Sequence, residues 1–206
     1  MVSRKSKSLQ RRPGRLSQRS RFLIYVEGSV SETLYIRGMR SDLGRRGPNI
    51  TLGSTRGEPL GLVREALRHR EREQGDSFDQ VWCVFDVESP DPHASLSEAI
   101  ALAHRNGIKC GITNPCFELW LILHFEQCRR WLTSEQACVY LESLPCDYDK
   151  DAKSFDYAKC RSLLQDAMGR ADALAAAFDA HAPIADKNPW TSVQVLFREV
   201  IRASVA

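Results

Sequence analysis

Four carboxylates sit where a chain could do chemistry with them. Glu27 closes the apolar run Phe22 to Val26 and is followed by Gly28, whose backbone can turn sharply. Asp86-Val87-Glu88 closes a second such run, Val81 to Phe85. Carboxylates at the ends of buried strands occupy the edge where open α/β sheets bind their ligands. Asp86 and Glu88 are two apart, so their side chains leave the backbone on one side if the extended conformation persists. Glu118 lies in a nearly wholly apolar stretch, with Leu121, Ile122 and Phe125 three, four and seven positions on, so it belongs to no polar helix face. Burying it bare is costly unless it is paired, protonated or bound to metal. Carboxylates gathered at one edge repel one another unless a cation joins them, and hard oxygen ligands select Mg²⁺ or Mn²⁺. The plain alternatives are a solvated acidic loop, DVESPD, a solvated Glu27, and a Glu118 bonded to backbone amides or an arginine.

Other chemistries find less support. The turn at Glu27-Gly28 has neither GxGxxG nor GxxxxGK[ST], and it offers Glu27 and Glu32 where a phosphate loop would offer amides and a lysine. Seven cysteines stand singly in apolar surroundings without a CxxC. That pattern points to a reducing cytoplasm with thiols used as small hydrophobes, and against disulfides or a structural zinc site. No Ser/His/Asp or Cys/His nucleophile arrangement can be read. His124 reads as a core or supporting residue, and His93 and His104 as weaker candidates. A cation must face the charge that develops in phosphate chemistry, and Lys150 and Lys153 are the candidates. Tyr148-Asp149-Lys150 is either a phosphate contact or a surface turn. Thr191, in Asn188-Pro189-Trp190-Thr191, either meets an anion or supports the start of the last helix.

These residues need a scaffold, and the apolar pattern supplies one. Phe22 to Val26, Asn49 to Leu52, Val81 to Phe85 and Ile108 to Thr113 read as strands. Between them, Ser31 to Met39, the stripe Leu60-Val63-Leu67, and Ala94 to Asn106 read as helices. The alternation predicts a mostly parallel α/β sheet flanked by helices. Asn114-Pro115 is expected to cap a helix over Cys116 to Phe125. From Trp131 onward no strand is expected, and Thr133 to Leu144, Asp156 to His181 and Asn188 to Ala203 read as three helices. The expected organisation is a basic, disordered arm (1–20), an α/β core (21–130) and a helical C-terminal extension packed on it (131–206).

The composition is that of an ordinary soluble folded chain, and no stretch approaches membrane-spanning length. The formal net charge of +3 conceals an uneven distribution. Residues 1–22 carry eight Lys and Arg, Arg11 and Arg12 among them, and no acid, leaving the rest of the chain acidic. Such an arm draws nucleic acid by releasing counterions, or is a solvated tail. It lacks the apolar segment of a signal peptide.

The stretches IYVEGSVSETLY, VWCVFDVESPD, GITNPCFELWLILHF, YDK and NPWTSV resemble, in order, the motifs of the RloB-like proteins, which occur beside restriction and abortive-infection loci. The match runs from about Arg21 to the last helix, and NPCFELWLILHF is its most specific part. The acidic glycine turn and the Asp-x-Asp strand end are shared more widely by Toprim domains. The resemblance implies a Toprim-like (Rossmannoid) fold and phosphodiester chemistry with Mg²⁺. Glu27 then matches the Toprim glutamate, and Asp86 and Glu88 the acid pair, the second acid being Glu, one methylene longer than Asp. On this basis the chain is expected to be a cytoplasmic, metal-dependent nuclease of phage defence acting on DNA or RNA, tRNA included. Glu27, Asp86 and Glu88 would be metal ligands, with Glu118 a further ligand or a general base. The competing expectation is a non-catalytic, degenerate Toprim module that binds nucleic acid or an ATPase partner. A small-molecule phosphotransferase on the same sheet is a third.

Overall fold

The apolar runs become buried strands because covered sheets reward residues that are apolar on both faces. The structure is a computed structural model that describes residues 19–54, 57–73 and 78–205. Four strands, β1 (Arg21–Val26), β2 (Asn49–Leu52), β3 (Gln80–Asp86) and β4 (Lys109–Asn114), lie parallel, joined through α1 (Ser31–Leu43), α2 (Pro59–Arg72) and α3 (Leu96–Arg105). A two-residue strand, β5 (Trp190–Thr191), adds antiparallel to β4, giving the order β2-β1-β3-β4-β5. The fold is α/β and Rossmann-like, as the alternation predicts.

Alternation along each strand divides the core in two. Phe22, Ile24 and Val26 face one side with Trp82 and Val84, against α4 (Glu118–Phe125), α7 (Leu164–Ala175) and α8 (Val193–Val205). Leu23 and Tyr25 face the other with Cys83 and Phe85, against α2 and α3. Helix α4 is buried from Glu118 to His124, as expected of a helix that is apolar all round. Among the described residues, no helix is long and apolar enough to cross a membrane.

Three expectations are corrected. A strand does occur after Trp131, since Thr191 pairs with Thr113 and Trp190 with Asn114, but two residues are too few to show alternation. The helix expected over 156–181 is two, α6 (Tyr157–Arg161) and α7, parted at Ser162-Leu163. Asn114 does not cap α4: it is the last residue of β4, and its Nδ2 donates to the carbonyls of Ile184 and Ala185. Helix α5 (Ser134–Glu142), by contrast, opens with a full capping box between Thr133 and Gln136.

Candidate acidic cleft at the carboxyl edge

The strand order places β1, β3 and β4 side by side, so their carboxyl ends share one edge. Each delivers an acid there: Glu27 follows β1, Asp86 ends β3, and Glu118 opens α4 a few residues after β4. With Glu32 and Glu88 they line a cleft of about 390 Å³, together with Gly28, Ser31 and Lys153.

Glu27 is held from two sides. Its Oε2 accepts from the Asp86 amide at 3.0 Å, and His93 Nε2 lies 2.8 Å from its Oε1, an oblique approach that is electrostatic more than a directed hydrogen bond. Glu32, in the first turn of α1, is buried, and its Oε1 accepts from the Gly28 amide at 2.8 Å. Gly28 is required by this approach: a Cβ there would fall 2.2 Å from a Glu32 carboxylate oxygen. Glu118, 2% exposed, is paired with no arginine among the described residues. Its Oε1 accepts from Ser31 Oγ and from Tyr148 Oη, each at 2.9 Å, and Oε2 takes no hydrogen bond among the described residues.

Asp86 is the most isolated acid. It is 9% exposed, and its buried Oδ1 has no hydrogen-bond partner among the described residues. Burial, then the charges of Glu32, Glu118, Glu27 and Glu88, push its carboxyl well above the usual range. Burial also raises Glu27, against the pull of the Asp86 amide and His93, and raises Glu32, against its own amide and that of Gly28. An unpartnered buried carboxylate among others is costly, and a bound cation would relieve it.

Glu88 reaches the cleft by a route other than the expected one. The chain does not stay extended, for Glu88 has φ +66°, and the turn is held by Val87 and Glu88 amides that donate to the carbonyls of Thr113 and Pro115. Its carboxylate accepts from Ser134 Oγ. The ligand atoms of these acids ring the cleft and do not cluster tightly. The expected convergence of Glu27, Asp86 and Glu88 therefore does not appear among the described residues as a close group of ligand atoms.

The basic candidates divide. Lys153 lines the cleft from the loop before α6, where its carbonyl accepts from Ser31 Oγ at 2.9 Å. Burial disfavours its ammonium, but Glu118, Cys138, Cys116 and Asp86 outweigh that, and its pKa is raised. Lys150 instead pairs with Glu142 at 3.5 Å and does not line the cleft. Thr191 is fully buried, sharing a hydrogen bond of 3.0 Å with Thr113 and accepting from the Val193 amide, so no anion reaches it. Tyr148 belongs to Glu118 and not to a phosphate contact. Arg11 and Arg12 lie outside the described residues.

Two supporting residues carried only a weak signal in the sequence. His93 meets Glu27 only because the loop after β3 folds back, with the His93 amide donating to the Val87 carbonyl. Glu32 carried a signal, its position in the first turn after EG, but that position alone also fits a helix-dipole charge. His124 is a core residue: its Nε2 meets Tyr35 Oη and its Nδ1 the Trp120 carbonyl, each at 2.9 Å, and burial lowers its pKa to about 4.

Compared with known proteins, residues 22–200 match the family model described as RloB-like protein. No curated protein and no solved structure matches the chain.

Proposed function

The chain belongs to the RloB-like family, and from that membership and the acidic cleft we propose that it is a divalent-metal-dependent nuclease that cuts phosphodiester bonds, acting in phage defence. The observation that carries this reading is Asp86: buried, unpartnered at Oδ1, and surrounded by Glu27, Glu32, Glu88 and Glu118. Glu27, Asp86 and Glu88 would hold Mg²⁺ or Mn²⁺, with Glu32 supporting the Gly28 turn. Such an ion supplies Lewis-acid polarisation of the phosphate and a lowered pKa for water near it.

The remaining work falls to the chain. His93 and the Asp86 amide fix the orientation of Glu27. Ser31 and Tyr148 fix Glu118 through Oε1, leaving Oε2 as the atom that takes a proton from the attacking water. Lys153 lines the cleft, and its ammonium, kept charged by the neighbouring acids, would face the negative charge that grows on the phosphate oxygens.

The test is incubation of the purified protein with plasmid DNA and with total RNA, tRNA included, in Mg²⁺ or Mn²⁺. Cleavage of one substrate is expected, lost about 100-fold or more in Asp86→Asn and Glu118→Gln. If neither nucleic acid is cut with either ion, the non-catalytic module that binds nucleic acid or an ATPase partner takes the place of the nuclease.

A further inference from the structure

Beside the acidic cleft, two thiols and a carboxylate meet that are far apart in sequence. Cys116 lies in the turn between β4 and α4, Glu118 opens α4, and Cys138 lies in the second turn of α5. One ligand atom from each, two Sγ and a carboxylate oxygen, lies within 4.8 Å of the other two. Among the described residues, no other three His, Cys, Asp or Glu side chains come together in this way, and the other five cysteines take no part.

We propose that Cys116, Cys138 and Glu118 form a second cation site, for a thiophilic divalent ion such as Zn²⁺. Two sulfurs and one oxygen are donors that Zn²⁺ favours and Mg²⁺ does not. Zn–S bonds of about 2.3 Å place two tetrahedral thiolates about 3.8 Å apart, so the side chains need close by no more than about 1 Å. The cluster's side chains are held in place by their neighbours. Cys116 Sγ lies 3.7 Å from the Ser134 carbonyl, and Tyr148 Oη lies 2.9 Å from Glu118 Oε1 and 3.6 Å from Cys138 Sγ. Tyr148 and Ser31 both donate to Oε1, which fixes the carboxylate beside the two sulfurs. On binding, each thiol gives its proton to solvent, so two protons leave per ion, and affinity falls as pH falls. Three protein ligands leave a fourth position for water. Ion binding here does not depend on cleavage, whereas inhibition of cleavage by Zn²⁺ rests on the nuclease reading, since Glu118 also lines the cleft.

The experiment is titration of the reduced, metal-free, full-length protein with Co²⁺, whose bonds to thiolate absorb strongly in the near ultraviolet and whose tetrahedral complexes absorb in the visible. One equivalent should produce both bands, and Zn²⁺ should abolish them. Cys116→Ser and Cys138→Ser should each weaken binding about 10-fold or more. Asp86→Asn and Cys110→Ser should leave the spectrum intact, which separates this site from the acidic cleft and from the other thiols. Cys138 is only partly buried, so Cys138→Ser decides the matter should Cys116→Ser not fold. No thiolate band at one equivalent, or a band unchanged in Cys138→Ser, overturns the proposal.

Discussion

Asp86 concentrates the electrostatic tension of the site, and its titration can be predicted with sign. Its carboxyl is raised on folding, and Glu27 and Glu32 are raised with it. Carboxyls raised on folding add stability below their unfolded pKa of about 4, and that contribution is lost as pH climbs through the folded value. In EDTA, wild type should therefore lose melting temperature relative to Asp86→Asn as pH rises above the unfolded carboxyl pKa of about 4. The amide mimics the protonated acid and carries no charge to repel. At neutral pH, Mg²⁺ should restore wild type alone, by about 2.7 kcal/mol at a hundredfold excess over Kd. Thermal melts of both proteins, with EDTA and with Mg²⁺, measure this. Parallel curves for the two proteins would mean that Asp86 bears its charge without cost. If Asp86 were merely a structural partner, its replacement should cost about 1 kcal/mol or more with or without metal.

At the scale of elements, α1 carries both chemistry and packing. Its first turn supplies Ser31 and Glu32 to the cleft, while Tyr35, Ile36 and Met39 enter the core. Its other end crosses α6 so closely that a Cβ on Gly38 would stand 2.4 Å from Cγ of Tyr157. The root of that ring cannot swing away as a chain end could, and Tyr35 packs edge-on against it at 5.4 Å. Gly38→Ala should therefore destabilise, by about 1 kcal/mol, because overpacking outweighs the helical preference for Ala. Gly61 in α2 is the contrast. A Cβ there meets nothing within 4 Å, so Gly61→Ala should stabilise by about 0.5–1 kcal/mol. Urea unfolding of the two variants should show opposite signs; equal signs would mean that α1 and α6 separate at little cost.

For the whole molecule, the parallel sheet gathers acids from three strand ends on one edge, while basic residues crowd the start of the chain. An acidic cleft repels a polyanion at long range, so on the proposed nuclease reading affinity for nucleic acid must come from elsewhere. Residues 1–18 hold six Lys and Arg, including Arg11 and Arg12. Deleting them should weaken nucleic-acid binding and flatten its salt dependence, by about 0.9 in the logarithmic slope for each duplex phosphate no longer neutralised. Fluorescence anisotropy across a salt series measures the slope, and an unchanged slope would assign the affinity to another surface. Cleavage chemistry, where binding is saturated, should survive the deletion.

By itself the sequence determined the scaffold and the chief acids. Apolar runs ending in Glu27 and Asp86 announce both a buried strand and the acid at its carboxyl end, because burial and periodicity are local properties of the chain. The apolar surroundings of Glu118 likewise foretold its burial. What tertiary structure decided was every relation between distant segments. The pairing of Thr191 with Thr113 buried it, leaving of its two expected roles the support of the last helix, whose Val193 amide donates to Thr191 Oγ1. The return of the 149–154 loop placed Lys153, and not Lys150, beside the acids. The packing of α5 on α4 brought Cys138 to Cys116 and Glu118 without any CxxC to announce it. Such meetings depend on chain reversal and helix packing summed over many residues, and no local spacing encodes them.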